Sequence, residues 1–117
     1  MNTLKNTVKL IGNLGRNPEI IKLKSGSQVA KFTMATNETY KNKSGDYVTV
    51  TQWHNVECWG KTAELCEKLL QKGSEVIVEG RLESNNYENK QGEKRTKTYV
   101  SMREFMLVNK RNESEKA

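Results

Sequence analysis

Two tryptophans, Trp53 and Trp59, stand six residues apart among polar neighbours, and two tyrosines, Tyr40 and Tyr87, sit at the mouths of two polar segments. Flat rings left at a surface can receive unstacked nucleobases, at about 1–3 kcal/mol per stack and with little regard for which base it is. Cations are interleaved with these rings. Lys41 and Lys43 flank the first polar turn, Lys90, Lys94, Arg95 and Lys97 cluster on the second, Lys61 follows Trp59 by two residues, and Lys72 lies further on. Lysines that meet phosphates beside rings that meet bases make a groove for a flexible polyanion. Taken singly, strand aromatics usually pack in cores and lysines usually form a solvated face. Four rings and eight cations together on a basic chain shift the balance toward binding.

Catalysis has less support. The one histidine, His54, lies inside a predicted strand, and Cys58 is four residues along it, roughly 13 Å away by strand rise. No GxxxxGK[ST], GxGxxG or HExxH string occurs, and the carboxylates are scattered among lysines as on a solvated surface. Cys58 and Cys66 form neither a disulfide framework nor a CxxC pair. The chain reads as a non-enzyme with no metal and no cofactor, suited to a reducing cytosol.

The elements that must position these residues are mostly strands, because apolar residues recur with period 2. Thr7 to Asn13 puts Val8 and Leu10 on one face and Ile11 on the other; Glu19 to Lys24 is a short extended stretch closed at Ser25-Gly26-Ser27. Val29 to Asn37 alternates Ala30, Phe32, Met34 and Thr36 against Lys31, Thr33 and Asn37. After a turn through 42–46, Tyr47 to Trp59 places Trp53 and Trp59 with Thr49, Thr51, Asn55 and Glu57, opposite a core face of Val48, Val50, Val56 and Cys58. Thr62 to Lys72 carries Ala63, Cys66, Leu69 and Leu70 at helical spacing, with Glu64 in its first turn, Lys68 and Lys72 near its end and Gly73 as the residue after it. Glu75 to Leu82 is a strand, Glu83 to Lys97 a polar hairpin arm turning at Gly92, and Thr98 to Val108 the last strand. An all-β chain of five strands, with one helix between the third and fourth and long hairpin arms, is the OB-fold order. It occupies residues 1–108, and 109–117 reads as a short, charged, disordered tail.

Composition agrees. One hundred and seventeen residues make one domain. The formal net charge of +6 permits a polyanionic partner. Only 34% of residues are hydrophobic, so the core is thin and subunit contacts are expected to help stabilise it. No apolar run approaches the ~20 residues that a bilayer requires, and the start has no signal-peptide h-region.

Longer strings then carry a resemblance. Asn6-Thr7-Val8-Lys9-Leu10-Ile11-Gly12-Asn13-Leu14-Gly15 precedes Asn17-Pro18-Glu19, and Val29-Ala30-Lys31-Phe32-Thr33-Met34-Ala35-Thr36 follows. Trp53-His54-Asn55-Val56 leads to Trp59-Gly60-Lys61, and Lys72-Gly73-Ser74 to Val78-Glu79-Gly80-Arg81-Leu82. In this order and spacing, from about Asn6 to Val108, the chain resembles the bacterial single-stranded DNA-binding proteins. The resemblance implies an OB-fold subunit of a homotetramer that wraps single-stranded DNA without sequence preference. It implies base stacking at Tyr40, Trp53, Trp59 and Tyr87 and a tetramer-stabilising role for His54, with a hydrogen bond inside one subunit as the alternative for that residue, alongside subunit contacts from the strand around Lys5, Val8 and Leu10. Two departures stand out. The family often has several basic residues before the aromatic of the second arm, where this chain has Glu83-Ser84-Asn85-Asn86. The family also usually ends in an acidic tip with a terminal Phe that recruits replication and repair enzymes, whereas residues 110–117 read KRNESEKA. Either the chain coats DNA without recruiting those enzymes, as an accessory or mobile-element copy would, or the sequence is a trimmed piece of a longer one.

The leading expectation is a cytoplasmic, nucleoid-associated protein that protects single-stranded DNA in replication, recombination and repair. A primosome accessory or RNA-binding OB module shares the architecture. A structural adaptor whose sheet faces bind protein is the third class.

Overall fold

The computed structural model describes residues 5–108. Its elements are β1 (Val8–Leu14), β2 (Glu19–Lys22), β3 (Gln28–Lys41), β4 (Tyr47–Trp59), α1 (Gly60–Leu69), β5 (Glu75–Glu88) and β6 (Lys94–Leu107). The sheet runs β1-β5-β6-β4-β3-β2, and β1 returns to β3 through Asn13↔Ala35 and Leu14↔Met34. That return closes β1, β3, β4, β5 and β6 into a five-stranded barrel and leaves β2 as a short partner on the edge of β3. The helix joins the third and fourth barrel strands, which is the OB-fold.

Alternation decides what the barrel encloses. Ala30, Phe32 and Met34 of β3 meet Val56 and Cys58 of β4, with Leu14, Val76, Val78, Val100 and Met102 completing the core. Helix α1 lays Ala63 and Cys66 over one end, and Leu70 follows them inward. Where β1 crosses β3 the backbones nearly touch. A Cβ on Gly12 would collide with the Ala35 carbonyl, so only glycine permits this closure.

Both pairs of long strands outrun the barrel as hairpin arms. β3 and β4 stay paired to Lys41↔Tyr47, and β5 and β6 to Glu88↔Lys94. The two arm turns use one device. Asn42 Oδ1 accepts from the Ser44 and Asp46 amides at 2.9 and 3.0 Å, and Asn89 Oδ1 from those of Gln91 and Glu93, both at 2.9 Å. Such side-chain turns favour Asn at the first position.

The structure departs from the expected elements in three places. The helix covers Gly60–Leu69 rather than 62–72, so no acidic residue lies in its first turn and Leu69 is exposed. Leu70 leaves the helix for extended backbone as its side chain enters the core. Gly73 consequently does not follow the helix directly. It belongs to a separate turn closed by the Ser74 amide donating to the Gln71 carbonyl at 2.9 Å. Finally, Val48 and Val50 are only half-buried and Leu82 is exposed, because these stretches run out along the arms where no opposite wall covers them.

Candidate nucleic-acid interface

On β4 the residues facing away from Val56 and Cys58 include Trp53 and Trp59, 61% and 55% exposed. Trp53 has a defined seat: a Cβ on Gly15 would fall 2.7 Å from its Cζ3 and 3.2 Å from Thr33 Oγ1. One edge of the indole therefore rests on bare backbone at the end of β1, leaving most of the ring open. The same outer face continues across β6 and β5. The Lys97 ammonium reaches Glu57 Oε2 at 2.6 Å, and Lys97 pairs in register with Asn85, as Arg95 does with Tyr87. Trp53, Trp59 and Tyr87 thus share one face of the sheet, with Tyr87 51% exposed.

Tyr40 is also exposed, at 52%, but it does not share that face. Its register partner is Val48, and its parity on β3 is that of Phe32 and Met34. The strands pair without a slip from Val29↔Trp59 to Lys41↔Tyr47, so Tyr40 stands on the reverse of the first arm.

Between the two tryptophans lies a groove of about 260 Å³ lined by Arg16, Glu19, Lys31, Thr33, Asn55, Glu57 and Lys97. Arg16 and Lys31 were not among the expected cations. Part of the signal for Lys31 was present, since it alternates outward beside Phe32, but only the strand register sets it directly across from Glu57. Lys97 is less free than expected, since it pairs with the largely buried Glu57 and lies 5.6 Å from the Tyr99 ring centroid. Arg95 meets Glu93 at 2.7 Å, an exposed pair of little energy that a phosphate can replace. Lys43 and Lys90 are placed in the two arm turns, with Lys41, Lys94 and Lys61 exposed nearby; Lys72 is exposed after the helix, its amide donating to Asn17 Oδ1 at 2.7 Å.

A polar network stiffens the base of the second arm. The Tyr99 hydroxyl donates to Glu83 Oε1 at 2.9 Å and accepts from Asn85 at 3.2 Å, while Arg81 donates to Glu83 Oε2 at 2.6 Å. The Tyr99 hydrogen bond, then Arg81, holds the Glu83 carboxyl below the usual carboxylate range, and the same bond raises the Tyr99 phenol. These groups stand where the expected basic run is missing.

The remaining expected residues lie elsewhere. His54 faces away from Trp53, is half-buried, and its Nε2 is 2.9 Å from Thr36 Oγ1 beside a cleft lined by Lys9, Leu10 and Ile11. Lys5 is exposed, whereas Val8 and Leu10 turn toward their own barrel core and leave Ile11 outward. Cys58 and Cys66 are buried with sulfurs 3.5 Å apart, and the bond to Cys58, then burial, pushes the Cys66 thiol upward. Among the described residues no group of three or more His, Cys, Asp or Glu is arranged to hold a metal, and no helix is long and apolar enough to cross a membrane.

A family model described as the Single-strand binding protein family matches residues 5–108. The chain belongs to this family. It is 39% identical over 104 residues to Single-stranded DNA-binding protein 1 of Chlorobaculum tepidum, covering 88% of this chain and 64% of that one. It is 39% identical over 109 residues to the Single-stranded DNA-binding protein of a Neisseria meningitidis serogroup A strain, covering 93% and 63%. Identity to Single-stranded DNA-binding protein 1 of Xylella fastidiosa is 37% over 112 residues, covering 95% and 82%. The chain therefore spans 64% and 63% of the Chlorobaculum and Neisseria relatives. Its fold matches a deletion mutant of the single-stranded DNA binding protein from Thermus aquaticus with a TM-score of 0.80 and 31% identity, over 92% of this chain and 52% of that one. It matches Plasmodium falciparum SSB, solved in complex with ssDNA, with a TM-score of 0.81 and 26% identity, over 89% and 95%. Residues 109–117, which read as a charged tail without the acidic tip, lie outside the described residues.

Proposed function

We propose that this chain binds single-stranded DNA without sequence preference and protects it during replication, recombination and repair, with no catalytic step. The observation that carries this reading is the outer face that joins Trp53, Trp59 and Tyr87 around a groove holding Arg16, Lys31 and Lys97. Rings on this face stack bases, and Lys41, Lys43, Lys61, Lys72, Lys90, Lys94, Arg95 and Lys97 meet phosphates together with Arg16 and Lys31. Tyr40, on the reverse of its arm, stacks DNA that turns over the arm's edge. The similarity to Plasmodium falciparum SSB, which was solved in complex with ssDNA, supports the same ligand class. Residues 1–108 act as one OB-fold DNA-binding domain.

The working unit is a homotetramer located in the cytoplasm with the nucleoid. Two surfaces support self-association. Ile11 pairs with Ile77, and Ile77 with Met106, in a row across β1, β5 and β6, with Ile11 and Met106 strongly exposed. The stretch of β1 before Asn13 pairs with β5 but has no partner on its other side among the described strands. That open edge borders His54, and the proposed subunit contact takes in Lys5, Val8, Leu10 and His54.

Titration with oligo-dT at low salt, followed by tryptophan fluorescence, tests the function. Stacking quenches Trp53 and Trp59; an unchanged emission with no bound complex overturns the proposal. Competition with the matching RNA separates DNA from RNA preference, because only RNA presents 2′-hydroxyls.

A further inference from the structure

Tyr47 opens β4 and is 75% exposed, more than any of the four aromatic residues already assigned. Its parity is that of Trp53 and Trp59, so three rings stand on one face of one strand at every sixth residue, about 20 Å per step by strand rise. The surface between Tyr47 and Trp53 is paved with short polar side chains that bond to each other. Thr39 Oγ1 lies 3.1 Å from Thr49 Oγ1, and Thr51 donates to Asn37 Oδ1 at 2.5 Å. No bulky side chain rises from this stretch to divert a polymer lying along it. Directly across from Tyr47 is Lys41, its ammonium 6.0 Å from the ring centroid. A cation beside an open ring repeats, at the arm's tip, the pairing of phosphate and base contacts proposed around Trp53.

We infer that Tyr47 is a further base-stacking residue, which extends the track for single-stranded DNA from Trp53 to the end of the first arm. This rests on the proposed single-stranded DNA binding. It also assigns the arm two rings with separate duties: Tyr47 continues the path of Trp59 and Trp53, and Tyr40 faces the other side. The length of strand held by one subunit then exceeds what the barrel face alone covers.

The test compares the parent, Tyr47→Ala, Tyr47→Phe and Trp53→Ala, each bound to a short oligo-dT that covers only the barrel face and to a longer one that reaches the arm. Because Tyr47 is so exposed, Tyr47→Ala keeps the fold, which circular dichroism verifies. The expected result is a loss on the order of tenfold for the longer strand in Tyr47→Ala, little change for the short strand, and parental binding in Tyr47→Phe. Trp53→Ala weakens both. Equal binding of the longer strand by Tyr47→Ala and the parent, with Trp53→Ala impaired, overturns the role of Tyr47 and leaves the proposed function standing. An equal loss on both strands also overturns it, since the ring then acts through the barrel. Failure of the parent to bind either strand overturns the function itself.

Discussion

Replacing Trp53 by alanine separates stacking from electrostatics on the proposed interface. The ring is 61% exposed, with one edge seated over the bare backbone of Gly15. Full burial of a large apolar side chain contributes about 1.5–3 kcal/mol, so losing the covered part costs roughly 1 kcal/mol of folding stability. A base stack contributes about 1–3 kcal/mol, so affinity for oligo-dT falls roughly 5- to 150-fold. Trp59 lies six residues along the same strand, about 20 Å away, far enough for the two effects to add. The double variant then loses about 2–6 kcal/mol of binding. Fluorescence titration reads these losses, and in Trp53→Ala the remaining quench reports Trp59 alone. Repeating it over a range of salt supplies the second readout. Removing a ring releases no counterion, so the slope of log affinity against log salt stays as in the parent, whereas replacing Arg16 and Lys31 flattens it by about 0.7 for each phosphate that is no longer neutralised. A folded Trp53→Ala that binds within about twofold of the parent refutes the stacking role. A slope that falls with the ring shows that Trp53 acts by placing cations.

Other perturbations probe the scaffold. Lys97→Met leaves the Glu57 carboxylate, 8% exposed, without its ammonium partner; because Lys97 is itself partly solvated, the expected loss is about 1–2 kcal/mol in urea denaturation, largely recovered by adding Glu57→Gln. Tyr99→Phe removes the main cause of the lowered Glu83 carboxyl. The stability due to that shift is present above the ordinary carboxylate pKa of about 4.3 and is lost as pH falls through the lower folded value. The variant therefore shows less loss across that acid window. It also lacks the component from the raised Tyr99 phenol, which is present below pH ~10 and lost above it. Met106→Asp places a charge in the Ile11–Ile77–Met106 row and is expected to shift sedimentation toward smaller species without unfolding the barrel. Both thiols, buried against each other, should resist a water-soluble alkylating reagent until denaturant is added; rapid labelling of the native protein would show that the helix opens freely.

Much of this chain was legible before folding because period-2 alternation is a local property. Phe32, Met34, Val56 and Cys58 had to face one way, which forced Trp53 and Trp59 to face the other, and the arm turns were visible in residues 42–46 and in Gly92, though not in the Asn89 side chain that closes the second. Tertiary structure decided what alternation cannot express. Alternation over Val29 to Asn37 did not reach Tyr40; only the pairing of β3 with β4 carries the strand on to Lys41, and with it the parity of Phe32 and Met34 that sets Tyr40 on the reverse of its arm. Nor could alternation show that Arg16 and Lys31 enter the groove, or that Lys97 is occupied by Glu57, since those neighbours come from different strands. The helix ended early for the same kind of reason: the core drew Leu70 inward. Local pattern sets which side of its own strand a residue takes; only barrel closure determines which residues of other strands it meets there.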